Sequence, residues 1–338
     1  MAKPRNSSDQ ARALLDGFDE PALLVRDARI LVANQAAARL FGDSLEGKDV
    51  RLAIRNPAAI ELLLAPPEAR TVIELAGIGA PDRSWILTCV PQGDGSLLVR
   101  LDDRSETQAA EQMRTDFVAN ASHELRTPLA TLLGYAETLA QGRDIEPPTR
   151  ERFLGVIHDE AKRMARLVED LISLSRIASE RFVPPRERVD IAKLLEQAKR
   201  ECRYGGEDRA ADIALDVPSG LPAVSGESNQ LVLMLDNLLT NALRYGRPGS
   251  PVRLSARQEG EIVQLLIADE GEGIEAEHIP RLTQRFYRVD PSRSRALGGT
   301  GLGLAIVKHI VERHRGNLSI ESRVGEGTTV RVDLPVAA

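Results

Sequence analysis

The chain has 338 residues, 42% of them hydrophobic and 28% charged, with a formal net charge of -6. That composition reads as soluble and globular, long enough for two or three domains, and its acidic balance argues against non-specific nucleic-acid binding. No run of about 18 apolar residues suits a transmembrane helix, and the start Met1-Ala-Lys-Pro-Arg-Asn-Ser-Ser8 lacks the apolar core of a signal peptide.

Residues 1–8 read as a polar, disordered lead. Residues 9–103 read as a small α+β domain. Pro21-Ala-Leu-Leu-Val-Arg26 and Arg29-Ile-Leu-Val-Ala-Asn34 are apolar strands around a tight Asp27-Ala28 turn, and 34–41 reads as a helix. Strand-like segments follow near 70–77, 84–91 and 95–101, with turn residues at Gln92-Gly-Asp-Gly95. This order resembles a PAS sensor domain. No histidine precedes His123, which excludes a histidine-ligated haem there. Cys89 falls on a predicted strand rather than in a flavin-adduct motif, so the domain is expected to be a cofactor-free dimerisation or relay module. Cys89 and Cys202 lie far apart without metal-ligand spacing, and both read as buried thiols.

Residues 104–141 follow a helical period. Val118, Ser122, Leu125, Leu129, Leu132, Ala136 and Leu139 step alternately by four and three, which is a heptad seam. Gly142-Arg-Asp-Ile-Glu-Pro-Pro148 breaks it, and a second helix from 148 to 180 repeats the spacing at Leu154, Ile157, Ala161, Met164, Val168 and Leu171. Two such helices make a hairpin with one exposed apolar stripe, so two copies are expected to close a four-helix bundle as a homodimer.

On the first helix lies Phe117-Val-Ala-Asn-Ala-Ser-His-Glu-Leu-Arg-Thr-Pro-Leu129. Imidazole is a good nucleophile near neutral pH. Glu124 beside His123 can hold one ring nitrogen and leave the other free to attack. Thr127 sits one turn on, and Pro128 removes the backbone bond to the Glu124 carbonyl. His123 follows a seam position directly, which puts it on the flank of the bundle.

Arg181–Arg188 reads as a linker, and 189–336 alternates helix and strand. On a helix at 236–245, Asn237, Asn241, Arg244 and Tyr245 share one face, opposite Leu231, Leu235, Leu238, Leu239 and Ala242. Two amides, a cation and a ring suit a metal ion, phosphates and a base. The apolar strand ending in Asp269 is followed by Gly271 and Gly273, where a carboxylate can accept from an adenine amino group. A stretch from 274 to 298 carries Arg281, Arg285, Phe286, Arg288, Arg293 and Arg295. Gly298-Gly-Thr-Gly-Leu-Gly-Leu304 opens a helix, bringing backbone N–H groups and a positive dipole end to an anion. It lacks the Gly-Lys-Ser/Thr ending of a Walker A loop. The chain ends in a hairpin signal, 317–322 and 328–334, around Gly325-Glu-Gly327. His158, His278, His309 and His314 read as surface or packing residues.

The four motifs, in this order, resemble the phospho-acceptor and ATP-binding boxes of bacterial sensor histidine kinases of two-component systems, the HisKA type. The run His-Glu-Leu-Arg-Thr-Pro-Leu matches letter for letter, and its flanks are most similar to the phosphate-regulon sensor kinase branch. The resemblance implies a multidomain α+β chain. Its parts are a PAS-like domain (9–103), a dimeric helical-hairpin phosphotransfer domain (104–180) and a GHKL/Bergerat-type α/β sandwich ATPase (189–336). It implies ATP and Mg²⁺ as cofactors, with Asn241 on the metal, Arg244 near phosphates, Tyr245 beside adenine and Asp269 recognising it, while Asn237, Gly271 and Gly273 are further nucleotide-binding candidates. Phe286 matches the aromatic box of the lid, and Arg288 or a neighbouring arginine is expected to touch phosphate. Gly299, Thr300, Gly301, Leu302 and Gly303 form the glycine box. The resemblance also implies phosphorylation of His123, transfer to an aspartate of a response-regulator receiver domain, and a phosphatase role for Thr127. The expected location is the cytoplasm, or the cytoplasmic portion of an inner-membrane protein. Two other readings stay open: a kinase-dead scaffold, and an ATPase without phosphotransfer.

Overall fold

A computed structural model of the chain describes residues 7–65, 67–141, 145–180, 183–204, 207–290 and 298–337. The expected helix break at 142–144, the start of the linker at 181–182, and Arg293 and Arg295 lie outside the described residues. Two compact units divide the chain, Met1–Ala119 and Asn120–Ala338.

In the first unit, α1 (Ser7–Leu15) precedes β1 (Ala22–Arg26), β2 (Arg29–Ala33), α2 (Gln35–Phe41), α3 (Pro57–Leu64), β3 (Thr71–Ala76), β4 (Ser84–Pro91) and β5 (Leu97–Asp103). The helix corrects the expected disordered lead, since Ser7 and Ser8 already belong to it. The five strands form one antiparallel sheet in the order β2-β1-β5-β4-β3. Asp27 and Ala28 both have positive φ, 47° and 62°. That is the backbone of a primed hairpin turn, whose twist matches its strands. Buried Asn34 ties the layers together. Its Oδ1 accepts from the N–H groups of Ala22 and Ala37, and its Nδ2 donates to the carbonyls of Leu15, Phe18 and Glu20. The core is aliphatic around Trp85, with Leu23, Ile30, Ile54, Leu87, Val99 and Leu101 buried.

Helix α4 (Ser105–Gln141) carries the acceptor run, and Pro128 lies inside it. Helix α5 (Pro147–Ser179) returns, with Pro147 at its first turn, where a missing N–H costs nothing. The predicted stripe is uncovered in the single chain. Val118, Leu129, Leu154 and Val168 are exposed, whereas Leu125, Leu132 and Leu139 are half-buried. A different set on α5, Leu167, Leu174 and Ile177, is buried where the helix packs along the later helix Gly303–Arg313.

The C-terminal layer comprises β6 (Glu187–Val189), α6 (Ile191–Glu201), β7 (Arg203–Tyr204), β8 (Glu207–Asp208), β9 (Ile213–Asp216), β10 (Val224–Gly226), α7 (Ser228–Tyr245), β11 (Val252–Glu259), β12 (Ile262–Asp269), α8 (Gly303–Arg313), β13 (Asn317–Arg323) and β14 (Gly327–Pro335). The linker expected to run to Arg188 is shorter, because Glu187–Val189 pairs antiparallel with Val224–Gly226. The main sheet has the order β13-β14-β12-β11-β9, with only β9 joining parallel. Leu231, Met234, Leu235, Leu238 and Leu239 of α7 are buried, with Ile306, Val307 and Ile310 of α8 and the inward residues of β11 and β12. Each such side chain contributes about 1.5–3 kcal/mol. The apolar face of α7 therefore points at the sheet, and its polar face is left for a ligand. Among the described residues no helix is long and apolar enough to cross a membrane.

Candidate functional site

A cavity of about 1110 Å³ opens where α7, the end of β12, the 274–290 segment and the glycine run meet α5. Asn237, Asn241, Arg244, Tyr245, Asp269, Gly273, Arg288, Gly299, Thr300, Gly301 and Gly303 all line it. Its size suits a nucleotide, since ligand pockets run to about 300–1,000 Å³. Asn237 donates to the carbonyl of Leu233 at 2.9 Å, and its Oδ1 lies 2.5 Å from where a Cβ on Gly303 would sit. Glycine there lets α7 meet the start of α8. Arg244 Nε is buried without a hydrogen-bond partner, so this cation has a donor to offer an anion.

Asp269 Oδ1 accepts from the Gly271 N–H at 2.8 Å. Burial pushes its carboxyl above the ordinary aspartate range, while bonds from the Gly271 and Thr328 backbone pull the other way. Gly273 has φ +72°, and a Cβ on it would meet the Arg323 carbonyl oxygen at 1.9 Å. Gly271 packs against the Tyr245 carbonyl, where a Cβ would come within 2.1 Å. These glycines permit the sharp exit from β12 behind the carboxylate. Leu302 is wholly buried, and its N–H reaches Thr300 Oγ1 at 3.3 Å.

His123 lines a smaller hollow, about 310 Å³, with Asn120, Glu124, Arg281, Gln284, Arg285, Phe286 and Tyr287. His123 is exposed, as its place beside the seam predicts. The Thr127 hydroxyl donates back to the His123 carbonyl at 3.4 Å. Phe286 belongs to this hollow rather than to the larger cavity. It has φ +64°, and its N–H donates to the Gly301 carbonyl at 2.8 Å, pinning the segment to the glycine run.

Tyr287 lines both the hollow and the cavity, and Arg288, which lines the cavity, reaches across to Glu124 with a side chain only 5% exposed. Its Nη2 donates to Glu124 Oε2 and to the Thr300 carbonyl, each at 2.9 Å. Arg163 of α5 reaches the same carboxylate at 3.4 Å. No local pattern announces this pairing, because Arg163 is 39 positions and Arg288 164 positions from Glu124. Nor did periodicity point to the α5 side chains that line the cavity, among them Lys162, Arg166 and Asp170.

The remaining histidines lie at packed or surface positions. His314 is buried, accepts from the Glu227 N–H at 3.0 Å and contacts the Ile310 carbonyl through Nδ1. Burial is the main force lowering its pKa. His278 Nδ1 lies 2.6 Å from the Tyr287 hydroxyl, and His309 Nε2 lies 3.3 Å from Arg285 Nη2. His158 is exposed. Cys89 and Cys202 are both buried, and neither is in a disulfide.

Three family matches fall in order along the chain. Residues 10–75 match the PAS domain, 113–180 the His kinase A (phospho-acceptor) domain, and 226–338 the histidine kinase-, DNA gyrase B- and HSP90-like ATPases. The chain is 37% identical over 238 residues to the sensor-like histidine kinase SenX3 of Mycolicibacterium smegmatis, covering 70% of this chain and 62% of SenX3. It is 31% identical over 323 residues to the sensor protein SrrB of Staphylococcus aureus, covering 96% of this chain and 55% of SrrB. The chain thus spans a little over half the length of these relatives. The Acinetobacter baumannii histidine kinase AdeS aligns with a TM-score of 0.51 at 25% identity, over 64% of this chain and 98% of that one. Histidine kinase ThkA, solved in complex with response regulator protein TrrA, shares the fold at 16% identity with a TM-score of 0.54, over 96% and 98%.

Proposed function

We propose that the chain is a bacterial sensor histidine kinase, a reading supported by its phospho-acceptor and ATPase family matches and its likeness to SenX3 and SrrB, and that it phosphorylates itself on His123 from ATP. One observation carries the reading: a nucleotide-sized cavity adjoins a hollow holding exposed His123 and half-buried Glu124, with Arg288 bridging from the cavity to Glu124.

ATP binds with adenine against Asp269 and Tyr245, and its phosphates near Asn237, Arg244 and the glycine run. The donor set fits a magnesium nucleotide: an amide oxygen for the metal on Asn241, and an unpartnered guanidinium nitrogen on Arg244. Bound Mg²⁺ neutralises charge on the transferring group. A nitrogen of His123 attacks the γ-phosphorus, the bond to the β-phosphate oxygen breaks, and ADP leaves. Glu124 orients the ring or takes its proton. It can do so only once its carboxylate turns from Arg288 and Arg163 towards His123.

The phosphoryl group then passes to an aspartate of a response-regulator receiver domain docked on the bundle near His123, and Thr127 positions a water for the reverse hydrolysis. The exposed stripe of α4 and α5 supports a homodimer. We place the kinase near the phosphate-regulon branch from the residues around His123, and on the cytoplasmic side of the membrane.

Incubation with γ-³²P-ATP and Mg²⁺, followed by addition of a receiver domain, tests the reading. It predicts stoichiometric acid-labile, base-stable label on the chain that moves to the receiver. A scaffold takes up no label, and an ATPase without phosphotransfer releases inorganic phosphate from an unlabelled chain.

A further inference from the structure

Asp170 of α5 sits in the nucleotide cavity, and its Oδ2 accepts a hydrogen bond from Thr300 Oγ1 at 2.7 Å. Thr300 belongs to the glycine run that leads into α8, where N–H groups and the helix dipole favour an anion. Two cations face the same carboxylate. Burial and neighbouring Glu169 push the Asp170 carboxyl above its ordinary range, while the Thr300 hydroxyl and the charges of Arg166, one turn earlier on α5, and Arg244 of α7 favour its anion. The Arg166 guanidinium lies against the glycine run, 3.2 Å from where a Cβ on Gly298 would be. Arg244 still has a buried Nε without a partner. A hydroxyl, two guanidiniums and a helix start therefore form an anion site, and the chain supplies an anion of its own to it.

We propose that Asp170 is an internal competitor for the phosphate chain of the nucleotide, so that loading a nucleoside triphosphate displaces α5 from the glycine run. This rests on the reading of the cavity as an ATP site. Carboxylate and phosphate oxygens recruit the same charge-assisted donors, and two anions sharing them repel. Around Asp170 the α5–α8 seam is apolar, through Leu167, Leu174 and Ile177. The Asp170–Thr300 bond is thus a polar latch within an apolar seam, and it opens when phosphate takes Thr300. Binding energy is thereby coupled to freeing the hairpin that carries His123.

The test compares ATP and adenosine binding by calorimetry in the full chain, for wild type, Asp170→Ala and Asp170→Asn. Asp170→Ala should bind ATP about tenfold more tightly, the equivalent of one lost charge-assisted hydrogen bond. Asp170→Asn keeps the size and an acceptor but drops the charge, so it should tighten ATP binding by a smaller factor. Adenosine affinity should stay unchanged in both, because adenosine brings no phosphate. Unchanged or weaker ATP binding in the variants overturns the inference. So does an equal gain for adenosine, which would mark a steric or structural role. If wild type and variants all fail to bind ATP, the reading of the cavity falls, and the inference with it.

Discussion

Arg288 Nη2 lies 2.9 Å from Glu124 Oε2, so the carboxylate next to the acceptor histidine is held by a guanidinium from the nucleotide layer. Arg163 shares that carboxylate. Glu124 is thus both the candidate proton acceptor and the counter-ion of two poorly exposed arginines, with side chains 5% and 10% exposed.

Glu124→Gln separates these roles. The account predicts a fall in the rate of self-phosphorylation by about a hundredfold or more, the usual range for a lost general base. Glu124 does not line the nucleotide cavity, so ATP affinity should stay within about twofold of wild type. The arginines left without their counter-ion should lower stability by about 2–3 kcal/mol, below the full cost for a buried pair because Glu124 remains 20% exposed. Single-turnover labelling, calorimetry and urea titration read the three effects. A wild-type labelling rate contradicts the role given to Glu124.

Asn241→Ala removes the amide assigned to the metal. Magnesium-dependent ATP affinity and self-phosphorylation should both be lost, while metal-free adenosine binding persists, because Asp269 and Tyr245 are untouched. Stability should hold within about 0.5 kcal/mol, since Asn241 is on the cavity face of α7 and not in its apolar core. Equal loss of adenosine binding would show a collapsed helix instead.

Asp269 gives a pH dependence with two opposite signs. Burial raises its carboxyl above the reference value of 3.8. Ionisation therefore costs the folded state: its contribution to stability is complete below the unfolded value and is lost as pH rises through the folded one. Adenine recognition needs the ionised acceptor, so adenosine affinity should fall as pH is lowered through the raised value. Adenosine avoids the titration of ATP phosphates. In Asp269→Asn, binding should be weak and flat over the same range. An unchanged acid limb in that variant would assign the titration to another group.

The exposed stripe predicts the assembly. Leu129 and Val168 remain 47% and 42% exposed in the single chain. The double variant Leu129→Lys with Val168→Lys should turn a dimer into a monomer in sedimentation, because two charges per hairpin would be buried in the four-helix seam. ATP binding should be retained. A monomeric wild-type chain would remove the basis for the bundle.

Much of this was legible in the residues, for local reasons. The heptad steps from Val118 to Leu139 foretold α4, and the apolar run ending in Asp269, with Gly271 and Gly273 after it, foretold β12 and its exit. The Asp27-Ala28 turn was readable from its two flanking apolar runs, although neither residue is glycine. What escaped was non-local. The strand at Glu187–Val189 exists only because Val224–Gly226 pairs with it. Nothing local marks Arg163, Arg166 and Asp170 among the charges of α5, since a charge pattern does not say what it faces. Helix α3 (Pro57–Leu64) also went unread, despite the Asn56 side chain that caps it and the proline at its first turn.

The central claim is that His123 takes the phosphoryl group, and the most direct measurement is γ-³²P-ATP labelling of wild type beside His123→Gln, with ATP binding confirmed for both. The account predicts acid-labile, base-stable label on wild type and none on His123→Gln. Equal label on His123→Gln would contradict it and place the acceptor elsewhere in the chain.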